Sequence, residues 1–303
     1  MLNPWLIASF FLSIAVGITC GGNGTFSMAA AFGSDAITKR RALFLAALFL
    51  FLGAVTASRN VVQRLNSDIT FRPMDLKIST AILLSTFLCI LLATLVKVPL
   101  STSEMSVGAI IGVGLFFNAL FSETLTFLFI SWILSAILCL VISYVAAKFF
   151  LRFSFKPSNL VLILIGCFFS FAIGANNVGN AIAPILNFTS FYFAIMCGGL
   201  SLAVGAFLFR GGVMKTVGKN IMVLDTKSAT IASFVAFFFL IVLSLLGIPA
   251  PGAQIFTLSI IGVKLAKRDG QKGKKTIIQI LTTWIGSPLI AIAISFFVLF
   301  LIY

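Results

Sequence analysis

Histidine is absent from the chain, and only 7 of its 303 residues are acidic. The first absence removes the usual proton shuttle and the commonest metal ligand. The second goes with a charged fraction of 9% against 60% hydrophobic residues, a balance that no water-soluble globule of this length needs. The chain therefore reads as an all-α polytopic membrane protein. Its five cysteines (Cys20, Cys89, Cys139, Cys167, Cys197) stand singly inside apolar runs, without metal or disulfide spacing. They read as small packing residues, with no metal site and no cofactor implied. No hydrolytic or transferase motif is present, and so little acid–base equipment disfavours an enzyme. A net charge of +14 would suggest a nucleic-acid partner in a soluble protein. Here the bases lie between apolar spans, which points to membrane orientation and anionic lipid and not to nucleic acid.

What the chain does have is a diverged copy of itself, offset by roughly 150 residues. Val98-Pro99 and Ile248-Pro249 each open a segment that continues through Glu104/Gln254 to Ile110-Ile111-Gly112-Val113 and Ile260-Ile261-Gly262-Val263. Upstream, Gly22-Asn23-Gly24 stands at the place of Ala175-Asn176-Asn177, and Gly53-Ala54 at that of Gly205-Ala206; downstream, Trp132 matches Trp284. Two repeats are expected, 1–150 and 151–303, forming one integral membrane unit. Repeats that duplicate a Gly/Asn break and a Pro/Ser/Thr break mark a secondary transporter, with its substrate site where broken helices meet.

Each repeat offers five apolar segments: near 5–33, 42–58, 77–97, 99–121 and 124–148, then near 158–188, 190–209, 229–247, 250–266 and 276–302. Trp5 to Cys20 lacks the basic start of a signal peptide, and the repeat requires it, so it is read as a retained helix. About 10–12 transmembrane segments are expected. An odd number per repeat inverts the second relative to the first. With both termini outside, all but four of the 21 bases (Arg59, Arg64, Arg72 and Lys77) fall on the cytoplasmic side, so the positive-inside rule supports two inverted-topology repeats.

Two constellations carry candidate chemistry. Gly21-Gly22-Asn23-Gly24-Thr25 and Gly174-Ala175-Asn176-Asn177-Val178-Gly179-Asn180 contain residues that tolerate the backbone angles of a helix end. A break there would aim a helix N-terminus, starting at Thr25 or Val178, into the core, a geometry that binds oxyanions. The bland alternative is close helix packing through small residues. The second constellation, Pro99-Leu100-Ser101-Thr102-Ser103-Glu104, is matched by Pro249-Ala250-Pro251-Gly252-Ala253-Gln254. Proline opens a helix well, and three hydroxyls follow in the first turn. Capping explains one of them. Glu104 is the one carboxylate inside a repeated motif, and an acid in the bilayer costs about 2.5–3.5 kcal/mol, so a proton carrier or cation ligand outranks a capping-box residue.

These motifs resemble those of the inorganic phosphate transporter family over essentially the whole chain. Gly174-Ala175-Asn176-Asn177-Val178-Gly179-Asn180-Ala181 is similar to the family's Gly-Ala-Asn-Asp-Val-Ala-Asn signature, and Pro99 to Glu104 to its Pro-Val-Ser-Thr-Thr-His element. The resemblance implies an inverted-repeat fold with broken helices and with oxyanion and coupling-cation sites near the centre. The departures are informative: the signature aspartate, associated with sodium binding, is Gly24 and Asn177 here, the histidine is Glu104 and Gln254, and the second hydroxyl cluster is Ala250-Pro251-Gly252-Ala253. That set is similar to the sulfate-permease branch.

Sulfate only accepts hydrogen bonds, whereas phosphate near neutral pH still donates one, so a site stripped of acceptors favours sulfate. The expected activity is import of sulfate or a related tetrahedral oxyanion across the cell membrane by alternating access. Asn23, Thr25, Asn176, Asn177 and Asn180 would wall the site, Ser101, Thr102 and Ser103 would donate to the anion, and Glu104 would carry a coupling proton, with Gln254 its counterpart in the second repeat. Sodium coupling is disfavoured by the lost aspartates. The alternatives are a proton- or sodium-coupled phosphate transporter, or a passive anion channel. A homo-oligomer is compatible with the sequence, which picks no interface.

Overall fold

A computed structural model describes residues 3–97, 100–154, 156–221, 225–268 and 274–303, with the backbone alone at 220–221 and 274–285. Pro99, Asp269 and Lys272 thus lie outside the described residues, as do the side chains of Lys274, Lys275 and Trp284.

The first repeat contains α1 (Pro4–Gly24), α2 (Ala29–Gly33), α3 (Lys39–Ala57), α4 (Arg59–Ser67), α5 (Leu76–Leu95), α6 (Thr102–Phe116) and α7 (Ser122–Phe150). The second contains α8 (Asn159–Ile182), α9 (Phe191–Leu208), α10 (Gly212–Lys215), α11 (Thr226–Leu245), α12 (Gly252–Lys267) and α13 (Lys274–Ile302). A 3₁₀ turn at Thr25–Met28 follows α1, and another at Ala183–Phe188 follows α8. Among the described residues seven segments are long and apolar enough to cross a membrane.

Contacts at the helix ends sort the chain onto two faces. On one, Ser9 Oγ lies 2.9 Å from Thr80 Oγ1, Lys77 donates to the Ile302 carbonyl, and Tyr303 donates to Asp75. The end of α6 returns to this face, where Phe71 N–H bonds the Ala119 carbonyl at 3.1 Å. On the other face Lys219 pairs with Asp35, Lys267 pairs with Asp225, and Lys227 donates to the Phe153 carbonyl. Both termini therefore share a face, and Arg64, Arg72 and Lys77 lie there with Arg59, the acid-diluted side that the charge pattern marks as external.

The pairs α5–α6 and α11–α12 are hairpins that return to the face they left, one from each side. Each is rooted by an aspartate N-cap: Asp75 accepts from Ile78 N–H, and Asp225 from Ser228 N–H. The 15 residues of α6 make about 22 Å, too short to span alone. Re-entry changes the count of crossings by two per repeat but not its parity, so inversion survives.

The repeats interlock. A Cβ on Gly21 of α1 would sit 1.9 Å from the Leu202 carbonyl of α9, and one on Gly174 of α8 would sit 2.0 Å from the Leu50 carbonyl of α3. Gly53 against Phe171 and Gly205 against Ile18 complete the four-fold pattern, each at 1.9 Å. Two faces thus approach to backbone contact, the packing that drives helix association where lipid removes the hydrophobic effect.

This corrects the expected breaks. α1 runs unbroken through Gly21 to Gly24, and α8 through Gly174 to Asn180. Unsatisfied backbone groups are costly away from water, so small residues are used for close packing and the helix continues. α1 passes directly into its 3₁₀ turn at Thr25, where the change is expected, and α8 into its own only at Ala183. Neither has an extended break, so no free helix N-terminus forms at Thr25 or Val178. The free N-termini in the core belong to α6 and α12.

Candidate functional site

The hairpin tips meet near the centre of the fold, where the first turns of α6 and α12 are joined by a hydrogen bond from Gln254 to Glu104 Oε1. Two asparagines hold the tips. Asn23 of α1 donates to the Leu100 carbonyl at 2.8 Å. Asn176 of α8 donates to Ser244 Oγ at 2.9 Å and to the Ile248 carbonyl at 3.1 Å, while its own Oδ1 accepts from Ala250 N–H and Ser103 Oγ. These amides replace the backbone partners that a chain reversal inside a membrane loses.

Ser101 is the N-cap of α6, its Oγ accepting from Glu104 N–H at 3.3 Å. Capping therefore accounts for Ser101 and a tip contact for Ser103, which leaves Thr102 against Cys20 of α1, a thiol that also meets Asn180 of α8. Asn180 is fully buried, with the Cys20 thiol, a weak hydrogen-bonding group, against its amide and no nitrogen or oxygen partner for either Nδ2 or Oδ1. Asn23 Oδ1, Ser106 Oγ and Glu104 Oε2 are also buried and unpaired. Ser106 lies one turn beyond Thr102, on the same face of α6. Buried polar atoms are nearly always satisfied in native proteins, so a cluster of orphans around one helix start is the mark of a place that receives a polar ligand.

Other expected site residues lie apart from this cluster. Thr25 bonds back to the Gly22 carbonyl at 2.8 Å inside its own turn. Asn177 is buried one position from Asn176, about 100° further around α8. Sequence reasoning missed three contributors. Cys20 was read as packing but adjoins Thr102 and Asn180. Ser106 is a buried orphan, and only its spacing from Thr102 could have flagged it. Trp132, whose repeat was visible, donates Nε1–H to the Pro249 carbonyl at 2.8 Å and so pins the second tip from α7. The base run expected as a 264–275 loop begins inside a helix: α12 extends to Lys267, and Lys264 is buried.

Among the described residues Glu104 is the one buried acid, and no group of three metal-binding side chains occurs. Two hairpins entering from opposite faces, pinned at their tips beside a group of buried polar side chains, define a membrane transporter of the inverted-repeat class. The chain belongs to the phosphate transporter family, whose pattern matches residues 20–161 and again residues 154–295. It is 32% identical to the sulfate permease CysP of Bacillus subtilis, over 96% of this chain and 86% of that one. It is 28% identical to a putative phosphate permease of Methanocaldococcus jannaschii, over 98% and 96% of the two chains. The fold is that of a solved structure, a sodium-dependent phosphate transporter, with a TM-score of 0.89, 23% identity and 99% of each chain covered. The protein is accordingly a multi-pass membrane transporter of an inorganic anion and not an enzyme.

Proposed function

We propose that the anion is sulfate and that its import is driven by protons. One observation carries this reading: Glu104 is the sole buried acid among the described residues and stands in the first turn of α6 with one oxygen unpaired, in a chain where Gly24 and Asn177 stand at the places of the family's aspartate. The ligand-free donors around it are a hydroxyl, an amide and the start of a helix, which suit an acceptor-only dianion. The similarity to a sulfate permease supports the same choice.

In the mechanism, sulfate enters between the tips and takes hydrogen bonds from Thr102, Ser106 and the Asn180 amide, while Asn23 and Asn176 keep the tips in register. Glu104, on the opposite face of α6, takes up a proton on the outer side, which removes a buried negative charge before the tips move. The hairpins and the glycine-packed helices then rock against each other to open the inner side, where the proton and the anion leave. Without its proton Glu104 would leave an uncompensated charge at the joined tips, which couples the two fluxes.

The test is uptake of labelled sulfate by proteoliposomes under an inward proton gradient, an inward sodium gradient, or neither. Accumulation with protons alone, little reduced by excess phosphate, is expected. Phosphate uptake in place of sulfate would make the alternative, a phosphate transporter, the correct reading. Equilibration without accumulation under any gradient would indicate a channel.

A further inference from the structure

Beside the tips, on the side away from Asn180, lies a cleft of about 490 Å³ between α6, α7, α12 and α13. That volume is within the range of small-molecule sites, about 300–1,000 Å³. Its floor is the Glu104–Gln254 pair, and its walls are otherwise apolar apart from the Trp132 indole, whose N–H is already bonded to Pro249. Its mouth opens among Phe129, Ile133, Ile137 and Leu289, which are 46%, 63%, 55% and 59% exposed on the apolar belt of the protein. The cleft is therefore reached from the lipid, not from either aqueous face. At its floor Glu104 is only 6% exposed and keeps Oε2 without a partner.

We infer that this cleft is a membrane-side binding site for uncharged apolar carbodiimides, with the Glu104 carboxyl as the group they modify. Such reagents partition into the bilayer, are shaped like the apolar cleft, and need a protonated carboxyl. The carboxyl oxygen adds to the central carbon of the N=C=N group, and the carboxyl proton moves to one of its nitrogens, giving an O-acylisourea. In a cleft without bulk water or an amine, the acyl group migrates to the other nitrogen and leaves a stable N-acylurea. The whole reagent is retained and nothing else is consumed. Acids on the aqueous faces, such as Asp35 and Glu123, meet the lipid-soluble reagent at much lower local concentration.

The experiment is intact and peptide mass spectrometry of the full chain in lipid nanodiscs at mildly acidic pH. One sample receives dicyclohexylcarbodiimide and the other a charged, water-soluble carbodiimide. One added reagent mass on Glu104 is expected with the first and none with the second, and Glu104→Gln should remove the adduct. Ala136→Phe, which narrows the cleft wall away from the hairpin tips, should slow labelling at least tenfold while the protein still elutes as a folded species. No adduct on Glu104, equal labelling by the charged reagent, or native-rate labelling of Ala136→Phe would each overturn the assignment. Labelling reports access to the cleft and is independent of which anion is carried or what drives it.

Discussion

The two hairpins are alike at their roots and different at their tips. Both start from an aspartate N-cap, Asp75 and Asp225, and both tips are held by an asparagine, Asn23 and Asn176. Around the first tip stand Thr102, Ser106 and Asn180, the last two with unpaired buried atoms. Around the second, Gly252 adjoins Phe26, and Phe26, Phe169 and Phe256 form a closed aromatic cluster with ring centroids 5.1–6.0 Å apart. The repeat offset places Gly179, Val16 and Ser106 where those three rings stand. One tip is lined by polar groups, some of them without partners; its counterpart is lined by aromatic rings. An inverted repeat can therefore conserve a scaffold without conserving two equivalent tips, and the proposed function assigns the ligand to the first hairpin.

The comparison is broken most completely at Glu104, the position where the tips are joined. Glu104→Gln should bind sulfate as the native protein does yet show no accumulation under a proton gradient, while sulfate–sulfate exchange continues. Proton-driven accumulation in that variant would remove Glu104 from the coupling.

A smaller but sharper effect comes from exchanging the two tips. Ser106→Phe copies the aromatic filling into the first tip, and exchange should fall at least tenfold with folded protein still recovered. Phe256→Ala opens the second tip. It should cost about 3–5 kcal/mol of stability by leaving a cavity, yet change the KM for sulfate by less than about twofold. A large KM change in Phe256→Ala would show that both tips hold the ligand.

The smallest effect is expected at the roots. Burial raises the Asp225 carboxyl, but the Lys267 ammonium and the hydrogen bonds from Ser228 outweigh it and hold the group down at about 2. A depressed folded-state pKa stabilises above the unfolded value, about 3.9, and the contribution is lost as pH falls from there toward 2. The pair is partly exposed, 34% and 48%, so its worth is under about 1 kcal/mol. Asp225→Asn should lower the thermal midpoint by a degree or two at neutral pH, and the gap to the native protein should narrow below about pH 4 and close as pH falls to about 2. A gap that persists there would assign the effect to packing.

Much of this architecture was legible in the chain. Ten apolar segments, their boundaries and the inversion followed from composition, repeat and base asymmetry, because a bilayer leaves a hydrophobic span few ways to satisfy its backbone. The Pro/Ser/Thr element did mark a helix start in the core. The Gly/Asn element did not: Gly21 and Gly174 serve contact with Leu202 and Leu50, and nothing local distinguishes a glycine that ends a helix from one that lets another helix approach. The roles of the three hydroxyls were also unreadable, since Ser101 spends its oxygen on its own turn and Ser103 on Asn176.

By itself the sequence determined that this is an inverted-repeat membrane protein with one acid in its core, because those properties depend on composition and on order along the chain. Only the tertiary structure decided which polar groups remain free. Asn23 meets Leu100, Ser103 meets Asn176 and Glu104 meets Gln254 across separations of 77, 73 and 150 residues. A hydrogen bond is a pairwise property of positions in space, so Asn180 becomes a candidate ligand contact only once the fold has shown that its amide meets the weakly bonding Cys20 thiol and no stronger partner.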